Sequence, residues 1–246
     1  MASRNQKSQQ PVEPIWLRLA RPRQKRQSSL SHEQIIRAAL ELADTEGTRA
    51  LSMRRLATKL GAGTMSLYWY ISSKEDLLDL LMDAAFGELE LPERPSDDWR
   101  AGISIFALQT RAVMLRHPWL ASLLGTRPGL GPHWLKRFEF FLAAMDNHDL
   151  TMTEIARIFS LVDGYVIGFV MRELEENETI RLTGVTREEW RATINPYIQQ
   201  LITSGNHPYL ARYLLESEES PIEENFTFGL DRLLDGIAAY IAEYHP

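Results

Sequence analysis

From Ser31 onward, apolar residues recur every three or four positions, and no stretch alternates long enough to make a strand. That period belongs to the α-helix, so a chain patterned this way must bury helix faces against other helices. The expected fold class is all-α. Ser31 and Gln34 have capping-box spacing, and Ile35, Ile36, Ala39, Leu40 and Ala43 form the first apolar stripe, with a stop at Gly47. Ser52 heads a second helix in which Met53, Leu56, Ala57 and Leu60 share a face, and Gly61 ends it. A helix of one to two turns follows over about 64–70. Ser73 and Asp76 open a fourth helix running to about Leu91, ahead of Pro92 and Pro95. Further helices are expected near 97–116, 119–124, 132–147, 152–176, 186–203 and 224–244, with a break at Gly205-Asn206-His207-Pro208 among others.

Charge divides the chain unevenly. Residues 1–30 hold seven Lys and Arg against Glu13 alone, while the whole chain carries −6. A basic arm on an acidic body suits a polyanion, because lysine and arginine displace counterions from phosphate. The cluster Arg21, Arg23, Lys25 and Arg26 stands just before the first folded element, where a minor-groove arm would stand. A solvated, flexible tail fits the same residues. Pro11, Pro14 and Pro22 argue against a continuous helix there, and Ile15-Trp16-Leu17 is more apolar than a tail requires.

Several functions are disfavoured. With no cysteine, the chain has no disulfide, thiolate zinc site, iron–sulfur cluster or cysteine nucleophile. No nucleophile elbow, P-loop or H-E-x-x-H motif is present, so an enzyme is not expected. The six histidines are scattered, with no pair at metal-ligand spacing, and neither a metal nor a resident cofactor is expected. No run of about 18 apolar residues offers a membrane span, and the basic N-terminus has no apolar signal core, which suggests a cytoplasmic protein.

Residues 52–70 describe two short helices joined by a glycine-containing turn, the helix-turn-helix pattern. Leu67 and Ile71 can face a core. Thr64, Ser66, Tyr68, Trp69 and Tyr70 then crowd the remaining surface beside Arg54, Arg55 and Lys74. Hydroxyls and cations suit phosphate, and rings suit thymine methyls. A packed aromatic elbow between domains would use the same residues.

Residues 31–91 resemble the N-terminal domain of the tetracycline-repressor (TetR) family. The likeness rests on Ala50-Leu51-Ser52-Met53-Arg54-Arg55-Leu56-Ala57, Leu60-Gly61, Leu67-Tyr68-Trp69-Tyr70 and Ser73-Lys74-Glu75-Asp76-Leu77-Leu78. Leu124-Gly125-Thr126-Arg127-Pro128 and Phe228-Gly229-Leu230 extend it into the remainder. The resemblance implies a three-helix DNA-binding domain with a connecting helix over 31–91 and a ligand-binding and dimerisation domain over 92–246; it says nothing about residues 1–30, where a basic arm is expected from the charge alone. It implies a homodimeric transcription regulator, usually a repressor, that leaves a palindromic operator when a small-molecule effector binds. Residue by residue, Arg54, Thr64 and Met65 would reach base edges, and Ser66, Tyr68, Trp69, Tyr70 and Lys74 would contact phosphates or sugar and methyl surfaces.

The departures bear on the ligand. The tetracycline repressors carry a metal-binding histidine where this chain has Leu123, a ligand-contacting asparagine at Phe106 and a histidine near Glu90. A magnesium–tetracycline complex is therefore not expected. A more apolar pocket is, drawn from Phe106, Thr110, Met114, His117, Leu123, Thr126, Arg127, Trp134, Phe138, Phe141 and Tyr165. Aromatics at helical spacing equally suit a plain core. The nearly all-apolar stretch 155–171, with Gly164 and Gly168 four apart, and the last helix, with Leu230, Leu233, Leu234, Ile237 and Ile241, would form a four-helix bundle with a second chain. A monomer core would bury the same residues. Asp163, set in that apolar stretch, calls for a polar partner. The competing class is a helical small-molecule-binding or interaction module without operator-specific binding.

Overall fold

A computed structural model describes residues 13–21, 30–124, 129–146, 148–218 and 220–244. Every regular element among them is a helix. In chain order these are α1 (Ile15–Leu19), α2 (His32–Ala50), α3 (Met53–Lys59), α4 (Thr64–Tyr68), α5 (Lys74–Phe86), α6 (Trp99–Arg116), α7 (Pro118–Leu124), α8 (Pro132–Met145), α9 (Met152–Thr183), α10 (Arg187–Thr203), α11 (Pro208–Glu216) and α12 (Ile222–Tyr244).

The expected starts have their caps. Ser31 and Gln34 complete a capping box, with Gln34 N donating to Ser31 Oγ at 3.1 Å and Ser31 N to Gln34 Oε1 at 2.8 Å. Ser52 and Ser73 accept from the backbone of Arg55 and Asp76, opening α3 and α5. Gly47 sits at φ 77° and interrupts α2 at the expected stop. Four elements differ from expectation. α5 ends at Phe86, not near Leu91, where the ladder tightens into i→i−3 turns with Glu88 N donating to the Ala85 carbonyl and Leu89 N to the Phe86 carbonyl. α9 continues past 176 to Thr183 through a polar stretch, and closes on the left-handed Gly184. α11 is an additional helix: Pro208 opens it instead of breaking one, because proline's missing N–H costs nothing at a first helical position. α1 is likewise a helix short enough to fit after Pro14.

The chain divides into two compact units. One contains the described residues up to Pro95 together with 112–141, and the other contains 96–111 and the residues from Leu142 on.

In the first unit, α2 packs on α3, α5 and α7, around Ile35, Ala39, Leu56, Leu67, Ile71, Leu77 and Leu81. Two acidic side chains fasten later segments to the early helices. Asp44 on α2 accepts from His117 Nδ1 at 2.8 Å and from Trp119 Nε1 at 2.7 Å. Asp83 on α5 is buried and accepts from the backbone N–H of His133 and Trp134, and from His133 Nδ1. It thereby satisfies the open donors at the start of α8. Gly131 is required beside it, since a Cβ there would lie 2.0 Å from Asp83 Oδ1.

In the second unit, α9 packs on α12 through Ile155, Phe159, Val162, Val166 and Val170 against Phe226, Leu230, Leu234 and Ile237. Tyr165 donates its hydroxyl to the Phe226 carbonyl at 2.7 Å. Arg111 forms a two-pronged pair with Glu173, at 3.0 and 2.9 Å, and lies over the Phe226 ring.

Replacing Asp83 with alanine removes three hydrogen bonds to a charged acceptor and strands two helix-start N–H groups. The expected loss of stability is about 2–3 kcal/mol by urea unfolding. An unchanged midpoint would show that the Asp83 contacts contribute nothing to stability.

Candidate nucleic-acid interface

A helix of five residues is not stable alone. α4 exists because Leu67 and the following Ile71 are fully buried. That anchoring turns the rest of the element outward. Met65 is 74% exposed, Tyr68 44% and Trp69 75%. Ser66 is exposed and Thr64 half-buried. Three large apolar groups on one exposed element would be a poor surface for a solitary domain, and they suit the methyls and sugars of a DNA groove.

The cations around α4 sort themselves by pairing. Arg55 is committed to Glu46 and to the Ala50 carbonyl, and Lys59 to Glu41 at 3.0 Å. Arg54 is exposed and Lys74 half-buried, and neither makes an ion pair among the described residues. These two charges are therefore available to phosphate or base edges. Ser73 caps α5 with Lys74 in its first turn, so helix dipole and lysine charge act together there.

Tyr70 differs from the expectation. Its hydroxyl donates to the Leu30 carbonyl at 3.0 Å and its ring meets His32 edge-on. It ties the end of α4 to the segment that starts α2. Of the arm residues, Arg21 is exposed and pairs with Glu13, while Arg23, Lys25 and Arg26 lie outside the described residues. Arg18 turns inward onto Asp76 and Ser72. The apolar Ile15-Trp16-Leu17 is the sequence signal for this docking, since Ile15 is buried.

The expected ligand residues fall in both units. Met114, His117 and Phe141 are buried in the first, with Leu123, Trp134 and Phe138 half-buried, and Trp134 stacks on Phe138. Phe106 and Thr110 are fully buried in the second, where Phe106 meets Phe159 edge-on. Tyr165 lines a cavity of about 460 Å³ between α9 and α12, with Phe169, Arg172, Glu173, Glu176 and Asn225. Thr126 and Arg127 lie outside the described residues.

His117 also differs from expectation, because both ring nitrogens face carboxylates of its own unit. Nδ1 binds Asp44, and Nε2 is 3.2 Å from Glu88. Partial burial pushes the Glu88 carboxyl up, but hydrogen bonds and charge from Arg116 and His117 outweigh this and hold it below the usual value.

The expected dimer residues separate in the same way. Leu230, Leu234 and Ile237 are buried against the protomer's own α9, and Leu233 and Ile241 are half-buried. A stripe at helical spacing cannot tell burial within a chain from burial between chains. Gly164 and Gly168 are exposed, with open space beside them. They share the surface of α9 with Leu161 and Met171, while Phe228 and Tyr240 protrude from α12. Asp163 is half-buried.

Known proteins repeat this arrangement. The domain described as "Bacterial regulatory proteins, tetR family" matches residues 35–81, and "Tetracyclin repressor-like, C-terminal domain" matches 91–241. The HTH-type transcriptional repressor DrrR1 of Streptomyces coeruleorubidus is 38% identical over 94% of this chain and 86% of its own. The tetracycline repressor class D of Escherichia coli is 26% identical over 84% of this chain and 88% of its own. The crystal structure of Streptomyces coelicolor ActR in complex with actinorhodin superposes with a TM-score of 0.73 at 26% identity, covering 88% of this chain and all of that one. No described helix is long and apolar enough to cross a membrane. With both domains matched, the chain belongs to the tetR family of helix-turn-helix, DNA-binding transcriptional regulators.

Proposed function

We propose that the chain acts as a homodimeric repressor that reads a near-palindromic operator through α4 and is released by a small, largely apolar molecule. The observation that carries the DNA reading is the outward set of Met65, Tyr68 and Trp69 beside the unpaired Arg54 and Lys74. Thr64 and Ser66 complete the surface. A two-fold dimer needs half-sites roughly 34–36 Å apart. The face for a second copy is Leu161, Gly164, Gly168 and Met171 on α9 with Phe228 on α12, where small residues let helices approach closely.

Release requires a part that both ligand and DNA can bias. Residues 112–141 share a compact unit with α2–α5. His117 and Trp119 hold Asp44 on α2, and Asp83 on α5 holds the start of α8. A ligand that moves His117 and Trp119, or His133 and Trp134, therefore pulls on α2 or α5. ActR was crystallised with actinorhodin, which makes that compound a suitable probe here. Leu123 supplies no metal-binding nitrogen. The basic cluster Arg21, Arg23, Lys25 and Arg26 adds contact with any duplex.

Three measurements test this reading. Tyr68→Ala and Lys74→Ala each weaken operator binding about tenfold without dissociating the dimer, and Lys74→Ala lowers the salt slope by about one. Full affinity in both variants would remove α4 from the interface. Replacing Arg21, Arg23, Lys25 and Arg26 together with alanine weakens binding to all duplexes and flattens the salt dependence, and no change in either would leave the basic cluster without a role. Actinorhodin added to the protein–operator complex releases the DNA, whereas minocycline with magnesium leaves it bound. The reverse outcome would contradict the apolar pocket.

A further inference from the structure

α1 lies outside both matched domains, yet it is docked. Ile15 is buried, and Arg18, one of the cations counted with the basic arm, points inward. Its guanidinium pairs with Asp76 in the first turn of α5 and bonds the hydroxyl of Ser72. Asp76 is itself buried, and its Oδ2 has no hydrogen bond among the described residues. A buried carboxylate in that state depends on a neighbouring cation, and Arg18 supplies it.

The place of this pair gives it consequence. Ser72 lies in the turn between the end of α4 and Ser73, the cap of α5. Leu67 and Ile71 hold that turn from the core, and Tyr70 holds it through Leu30. Arg18 holds it from the side of the N-terminal extension. The same turn carries the exposed Trp69 and leads directly into Lys74.

We propose that Arg18 is a positioning residue for DNA recognition, which pairs with Asp76 and Ser72 and so holds the α4–α5 turn, with Trp69 and Lys74, in its reading geometry. Arg18 does not itself contact DNA, since its side chain is only 22% exposed. Without it, the Asp76 charge is left buried beside the start of α5. The first turn then relaxes toward water and takes Ser73 and Lys74 with it. The extension thereby acts on specificity as well as on general attraction to phosphate. This inference rests on the reading role of α4.

The test uses the full chain and the variants Arg18→Ala, Arg18→Lys and Arg18→Ala with Asp76→Asn. Two quantities are read. One is hydrogen exchange of backbone amides 69–76 in the free protein. The other is preference for an operator selected from random duplexes over an unrelated duplex, across a range of salt. Arg18→Ala is expected to speed exchange in 69–76 and to lose about tenfold of the preference, while the salt slope changes by less than one. The double variant buries no unpaired charge. It is expected to regain thermal stability but not preference, so it keeps the test open if the single variant does not fold. Arg18→Lys restores part of the preference. Parental exchange and preference in the single and double variants would overturn the proposal. So would a slope lowered by about one with preference intact, because Arg18 would then be a phosphate contact. A parent chain with no operator preference would overturn the reading role of α4 instead, and the exchange data would still decide whether Arg18 holds the turn.

Discussion

The burial of Leu67 and Ile71 is the constraint on which the DNA-facing surface depends. A five-residue helix has too few internal hydrogen bonds to offset the cost of starting it, so tertiary contacts must supply its stability. Once Leu67 is inward, helical geometry leaves Met65, Ser66, Tyr68 and Trp69 no direction but outward. The exposed aromatics are thus a consequence of how the element is anchored. The unpaired Arg54 and Lys74 flank them because the other nearby cations, Arg55 and Lys59, are engaged by Glu46 and Glu41.

Three carboxylates join the helices of the unit that carries that surface. Asp44 joins α2 to the α6–α7 turn, Asp83 joins α5 to the start of α8, and Asp76 joins α5 to the N-terminal extension. Asp76 and Asp83 are buried and Asp44 lies at the surface, and each fixes one register that apolar packing alone would leave free to slide. Apolar surfaces tolerate small shifts, whereas a buried polar group that loses its partners does not.

Much of this is legible in the sequence, and the parts that are not share a cause. Capping residues Ser31, Ser52 and Ser73 mark helix starts because a cap is a local interaction. The surface of α4 is legible because three adjacent aromatics cannot all be buried on a two-turn helix. What escapes is set by distant partners. Tyr70 has the chemistry of a DNA contact but is taken by Leu30 and His32, and His117 has that of a ligand contact but is taken by Asp44. Leu230, Leu234 and Ile237 carry a stripe that fits either a partner or the chain's own α9. Pro208 and Pro14 read as breaks in a helical pattern, whereas proline at or before a first helical position is compatible with starting a helix.

The central claim is that α4, presented twice by a dimer, reads one sequence. Selection of the purified full-length protein against a random duplex library at near-physiological salt tests this most directly. The account predicts recovery of a single palindromic consensus whose half-sites lie about one helical turn apart, bound far more tightly than unrelated duplex. Recovery of no sequence above background from a folded dimer, with and without cell extract to supply a corepressor, would contradict it.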